Sequence, residues 1–328
     1  MTINRRHLLQ TTGASALLAG LGQQVFAQTT LETATIITGF AAGGTSDTLC
    51  RRVATKLQPD YARAVVVENR TGAGGQIAVS YVKGRPADGA AILQTPTSIL
   101  TIYPHIYKKL PYDPMVDLTP VSIGCIFDFG FAVGPSVPAS VKTVPEFLAW
   151  AKANPAGANY GSPAAGSTPH FIGALLGKSG GVDLKHAAYR GTQPAMLDLL
   201  GGNISAVSGP IGDITQHLAT GKVRVLGTSG TKRNRFAPEV PTFQEQGIDM
   251  AHSEWFAFFL PAKASPELVA RLNTGMKNAL AQQDVIDGLG TFGLEAMSSS
   301  PEELTDLLKK DTAKWAPIVK QVGFTAEG

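Results

Sequence analysis

Cysteine is almost absent from this chain. Cys50 and Cys125 are too few for a disulfide framework, and no CxxC or Cys/His spacing marks a metal site. Cys50 falls on the apolar side of a predicted helix and Cys125 in a buried-strand pattern, so both read as small buried hydrophobes. Charge is scarce as well, at 16% of residues, with no basic block interleaved with aromatics; nucleic-acid binding is therefore not expected. No apolar run beyond the N-terminus reaches the ~18 residues needed to span a bilayer, and no heptad array or fixed repeat is evident.

Enzyme signatures are also missing. Gly173-Ala174-Leu175-Leu176-Gly177-Lys178-Ser179 is one residue short of a P-loop and lies within a helical pattern, not after a strand. Gly72-Ala73-Gly74-Gly75-Gln76-Ile77 carries Ile where a dinucleotide fingerprint needs its last glycine. There is no GxSxG, no HExxH and no paired Cys–His arrangement. His105, His186, His217 and His252 have no metal-ligand spacing. No catalytic residue, cofactor or metal is expected.

What the chain has is glycine (36) and proline (21) in 328 residues that are 44% hydrophobic, an ordinary globular composition with many turns. The length accommodates two cores at roughly 100–200 residues per domain. The first 27 residues read separately. Asn4-Arg5-Arg6-His7-Leu8-Leu9-Gln10, the apolar stretch Ala14 to Leu21 and the small-residue end Val25-Phe26-Ala27 describe an export leader cleaved near Ala27. The adjacent arginines suggest the twin-arginine type, although Gln10 replaces the usual basic residue. Cleavage removes two arginines and no acid, leaving 26 basic against 25 acidic residues. The mature protein is expected outside the cytoplasm.

Thereafter β-rich runs alternate with helical patterns, which predicts a parallel-sheet α/β architecture. Strands are expected at 34–37, 65–67 and 90–93, with a helix after Ser46 or Thr45 as cap and another at 77–83. A second set begins near Leu118: strands at 127–133, near Tyr160, at Val207 and at 223–226, and helices at 145–153, 169–176 and 194–200. A strand at 255–260 returns toward the first set, followed by helices at 266–281, 301–310 and 314–322. The expectation is two doubly wound lobes, 28–125 with 252–328 and 126–251, joined by a hinge with two chain crossings.

Two segments carry the functional signal: Gly43-Gly44-Thr45-Ser46-Asp47 and Gly161-Ser162-Pro163-Ala164-Ala165-Gly166-Ser167-Thr168. Each lies between a strand and a helix. Glycine admits a ligand close to the backbone, and N–H groups at a helix start favour an anion. Hydroxyls add donors without fixed charge. Either loop alone is equally a turn with an N-cap; in opposite lobes they suggest two anion-binding jaws. Asp47 fits a helix dipole, His170 either a donor to a carboxylate or a packed residue, and Asp213 either a partner for a ligand's cationic group or, in preference, a cap on the following helix.

Gly39-Phe40-Ala41-Ala42-Gly43-Gly44-Thr45-Ser46-Asp47 resembles the first-loop motif of the Bug family, extracytoplasmic receptors of tripartite tricarboxylate transporters. Val67-Glu68-Asn69-Arg70-Thr71-Gly72-Ala73-Gly74-Gly75, Tyr107-Lys108-Lys109-Leu110-Pro111-Tyr112-Asp113-Pro114, Asn159-Tyr160-Gly161-Ser162, Leu199-Leu200-Gly201-Gly202 and Gly221-Lys222-Val223-Arg224 continue the match in order. The resemblance implies a monomeric periplasmic clamp of the type II binding-protein class. It would hold a small carboxylate and deliver it to two integral-membrane transporter subunits. It points to Ala42, Gly43, Gly44, Thr45 and Asp47 in one jaw, to Ser162, Gly166, Ser167 and Thr168 in the other, and to Tyr189, Gly191 and Thr192 on the far side; His170 joins the candidate ligand-binding residues from its place beside the second loop, not from the resemblance.

Two departures from the family pattern matter. Ser208-Gly209-Pro210 replaces an Asp-containing segment, which argues against an amino-acid ligand. Ile126-Phe127-Asp128-Phe129-Gly130-Phe131 is unusually aromatic; it reads as a buried strand, or more sharply as a stacking wall for an aromatic dicarboxylate such as terephthalate. Two other readings stay open: an exported α/β hydrolase, which would need Ser167 and His170 as its pair, and a ligand-sensing subunit.

Overall fold

The structure, a computed structural model, describes residues 30–326. The leader reading at 1–27 lies outside them. Strand β1 (Leu31–Thr38), helix α1 (Thr45–Lys56), β2 (Ala62–Asn69), α2 (Gln76–Lys83) and β3 (Ala91–Pro96) form two βαβ steps of a parallel sheet in which β1 lies between β2 and β3. Two short helices, α3 (Ser98–Thr101) and α4 (Tyr103–Ile106), lead to β4 (Leu118–Val133). At 16 residues β4 is far longer than the stretch expected from its aromatic run.

The next elements are α5 (Val144–Ala153), β5 (Asn159–Ser162), α6 (Thr168–Ser179), β6 (Lys185–Ala188), α7 (Thr192–Leu200), β7 (Ala206–Pro210), α8 (Ile211–Thr215) and β8 (Arg224–Thr228). Strand β5 pairs in parallel with β6 and β7, while β7 and β8 run antiparallel to the last residues of β4. The chain then returns. Strand β9 (Ser253–Pro261) inserts antiparallel between β3 and the first part of β4. Helices α9 (Pro266–Leu280) and α10 (Gln283–Gly290), strand β10 (Glu295–Ala296) and helix α11 (Pro301–Val322) complete the fold. The α/β sheet runs β2-β1-β3-β9-β4-β7-β5-β6, with β8 and β10 also on β4.

Local chemistry accounts for the element ends. Thr143 and Glu146 form a capping box on α5, and Ser300 and Glu303 do the same on α11. Helix α9 buries Leu268, Val269, Leu272, Met276, Ala279 and Leu280 at helical spacing. Cys50 and Cys125 are free and buried.

Three expectations change. The C-terminal helices read at 301–310 and 314–322 are one helix, because the buried stripe Leu304, Leu308, Trp315, Val319 stays in phase throughout. Pro317 costs it one i→i−4 hydrogen bond without ending it. The N-cap position of helix α1 is Gly44, which has no side chain to offer, and not Ser46 or Thr45. Asp213 lies within α8 and does not cap it. No helix among the described residues is long and apolar enough to cross a membrane.

Gly212 fixes α8 against the turn after α10: a Cβ there would lie 1.5 Å from the Phe292 carbonyl oxygen. Gly212→Ala must displace backbone, and is expected to cost about 3 kcal/mol in urea denaturation; a change below about 0.5 kcal/mol would contradict this packing.

Candidate functional site

Where the C-terminal ends of β1, β3, β5, β6 and β7 converge, the strand-to-helix loops enclose a cavity of about 50 Å³. Such strand ends are where α/β sheets usually place ligands. The β1–α1 loop and the start of α1 supply Phe40, Ala41, Gly44, Thr45 and Ser46, the end of β3 supplies Pro96, and the start of α3 supplies Ser98. Strands β4 and β9 add Phe127, Phe129, Glu254 and Phe256. The opposite wall comes from Pro163, Ser167 and Pro169, from Gly191, Thr192 and Gln193, and from Pro210 and Asp213. The two walls meet closely: a Cβ on Gly191, whose φ is +118°, would lie 3.5 Å from the Ala41 amide nitrogen.

The first loop is held from behind. The Asp47 carboxylate accepts from Gly43 N (3.0 Å), Arg51 Nε (2.8 Å) and Asn69 Nδ2 (3.0 Å). Burial works to raise its pKa, but these partners prevail and hold it below the usual carboxylate range. Asp47 therefore shapes the loop and does not line the cavity. Ser46, at the wall, hydrogen-bonds to Gln94 Oε1, as does Thr38 Oγ1.

The second loop is built around two histidines. His170 Nδ1 accepts from Gly166 N (2.9 Å), and its ring stacks on His186 with centroids 3.9 Å apart. Ser162 Oγ lies 2.7 Å from His186 Nε2 and 3.1 Å from the Ala164 carbonyl. Burial drives the pKa of His170 down to about 4; burial and then its neighbour drive His186 down to about 3. Both rings are neutral and packed. Ser167 Oγ donates to the Ala164 carbonyl (2.7 Å), so the Ser167–His170 pair that a hydrolase would need is not formed.

The cavity wall contains no Lys, Arg or His but two buried acids. Asp213 Oδ1 accepts from Thr45 N (2.8 Å), and Oδ2 lies 3.4 Å from Thr45 Oγ1. A side chain from one wall thus caps a helix of the other. Burial pushes the Asp213 carboxyl up to about 6, against the lowering effect of hydrogen bonds from Thr192 and Thr45. Glu254 accepts from Ser98 N (3.0 Å), and burial raises its pKa as well.

Of the residues singled out from the sequence, Gly44, Thr45, Ser167, Gly191 and Thr192 line the cavity. Ala42 and Gly43 lie on the outer, exposed side of the first loop. Ser162, Gly166, Thr168 and His170 are buried behind the second. Tyr189 donates to Asp198 (2.7 Å) away from the wall. The aromatic run divides: Phe127 and Phe129 face the cavity, while Phe131 packs on Phe147 and Tyr160. Sequence reasoning missed Glu254, although an acid directly before the apolar run Trp255–Leu260 is a usable signal. The aromatic wall is completed by Phe40 and Phe256, with Phe127 and Phe256 centroids 4.4 Å apart.

This cleft-centred α/β fold is that of periplasmic binding proteins. R. palustris Rpa4515 with adipate matches at a TM-score of 0.85 and 29% identity, covering 90% of this chain and 98% of that one. MatC from Rhodopseudomonas palustris with bound malate matches at 0.81 and 26%, covering 88% and 98%. Among curated relatives, Protein BugT of Bordetella pertussis is 28% identical over 324 residues, 98% of this chain and 99% of the relative. Residues 49–324 match the tripartite tricarboxylate transporter family receptor, and the chain belongs to that family.

The neutral histidines set a pH dependence. A base whose folded pKa lies below its unfolded value of about 6.5 binds fewer protons in the native state, so stability falls as pH drops from 6.5 toward 4. At pH 5 the His186 contribution is up to about 2 kcal/mol. Urea titrations at pH 7 and pH 5 should therefore show a smaller acid-induced loss for His186→Gln than for wild type; an equal loss would refute the assignment.

Proposed function

We propose that this protein is a periplasmic receptor that captures a small carboxylate with an aromatic or otherwise apolar body and passes it to a membrane transporter of the tripartite tricarboxylate type. The observation that carries the reading is the Asp213 carboxylate already in the cavity. Asp213 is held by the Thr45 amide at the first turn of α1, which marks that helix start as an anion site. The hydroxyls of Thr45 and Thr192 are directed to the same carboxylate, so the donors at this point already serve an anion.

The walls favour the apolar body. Phe40, Phe127, Phe129 and Phe256, with Pro96, Pro163, Pro169 and Pro210, surround the polar groups. Phe127 stands edge-on to Phe129 with centroids 5.4 Å apart, a geometry suited to receiving another ring. The relatives bound to adipate and malate support the carboxylate class. Terephthalate is the aromatic dicarboxylate that fits this description. The strand groups on either side of the cleft are proposed to act as jaws that close over the ligand, with the chain crossing between them in β4 and again between β8 and β9. Export through the leader, with cleavage near Ala27, places the receptor in the periplasm.

Titration calorimetry with terephthalate, protocatechuate, adipate, citrate and glutamate tests the reading. Terephthalate or protocatechuate is expected to bind most tightly. Phe129→Ala should weaken an aromatic acid at least tenfold more than adipate. Thr45→Pro, which deletes the donor while keeping a helix-compatible backbone, should weaken every ligand tenfold or more. Heat from aliphatic acids alone would sink the aromatic preference, and unchanged affinity in Thr45→Pro would sink the anion site.

A further inference from the structure

We propose that Asp213 competes with the incoming ligand for the start of α1, so that a carboxylate enters only as Asp213 takes up a proton from solvent. The inference rests on the carboxylate reading above and adds to it a coupling between capture and pH.

The geometry makes the two anions rivals. Thr45 N has one hydrogen to donate, and the Asp213 carboxylate already accepts it at 2.8 Å from across the cleft. The Thr45 hydroxyl is turned to the same carboxylate, at 3.4 Å. A ligand carboxylate drawn to this helix start meets an ionised side chain at the same donors. Nothing in the wall offsets the added charge, because no Lys, Arg or His lines the cavity. Once protonated, Asp213 gives up its claim as an acceptor and can donate its own O–H to the ligand.

The surroundings single out Asp213 as the group that responds. On α1 the nearby ionisable residues are Asp47 and Arg51, already bonded to each other. The start of α7 contributes Thr192 and Gln193, neither of which titrates, and β4 contributes Phe129. Beyond its own helix, His217 is directed to Gln193 Oε1 at 3.1 Å. Glu254 on β9 is the other acid in the wall, and it is engaged by Ser98 N. Asp213 is 3% exposed, and burial already brings its carboxyl to about 6, close enough to neutrality for a neighbouring anion to complete the shift.

The sign of the dependence follows. Above the Asp213 value of the free protein, binding must add a proton, so affinity falls up to tenfold for each unit of rising pH. The experiment is calorimetry of the mature protein with adipate, benzoate and terephthalate at pH 7, in two buffers of different ionisation enthalpy, repeated from pH 5.5 to 8. These ligands are fully ionised at pH 7 and do not themselves supply the proton. The expected result is uptake of about one proton per ligand in wild type, none in Asp213→Asn, and a pH-independent affinity in that variant that exceeds wild type about tenfold at pH 7.5. Binding to wild type without proton uptake overturns the inference and leaves the receptor reading standing. Uptake that persists in Asp213→Asn and disappears in Glu254→Gln also overturns it, because the proton then belongs to Glu254. Absence of binding by all three ligands in wild type and both variants, at every pH, overturns this inference together with the carboxylate reading on which it rests.

Discussion

Strand β4 is the constraint on which the remaining structure depends. Its first eleven residues pair with β9, and its last five with β7, so a single extended segment belongs to both strand groups. Strands β8 and β10 also attach to it. Register shifts near Pro120–Ser122 and Ile123–Cys125 bend the strand along its length. At the point where its partner changes from β9 to β7, the side chains of Phe127 and Phe129 stand on the floor of the cleft. The position of the cavity is thus a product of strand pairing as much as of the loops above it.

With that floor fixed, the loops bring helix starts toward one another, and the electrostatics follow. Main-chain N–H groups and hydroxyls converge from both sides, while two carboxylates are buried among aromatic rings. Neither acid has a cationic partner in the wall, and each instead receives a main-chain N–H at the beginning of a helix. Buried carboxylates in this setting titrate above their usual range because burial penalises charge more than their hydrogen bonds reward it. The result is a cavity that is neutral or acidic according to pH, within a family of carboxylate receptors.

The architecture was largely legible in the sequence because its signals are local. Period-two and helical apolar patterns located most strands and helices, and the glycine- and hydroxyl-rich loops lie at the cleft. The failures have long-range causes. The cap of α1 comes from Asp213, 168 residues further along the chain, and no local pattern predicts that contact. Asp213 looked like a cap for its own helix because sequence proximity was the only partner information available. His170 was weighed as a ligand donor; its role emerges only once His186 is stacked on it. Phe127 and Phe131, alike in pattern, separate into cavity wall and core because the strand changes partners between them. Even so, two of the three phenylalanines in the aromatic run do reach the cleft.

A grip made from main-chain amides, as proposed for the start of α1, has an evolutionary consequence. Point substitution can rarely remove a backbone donor, since only proline lacks the N–H. The walls that would contact the body of the ligand are side chains, and each can be exchanged singly. Under that division the preference for one acid over another can drift while the anion-holding frame stays in place. Under the proposed function the fold would be a reusable chassis, with the charge reader built into the backbone and ligand choice written in its removable lining.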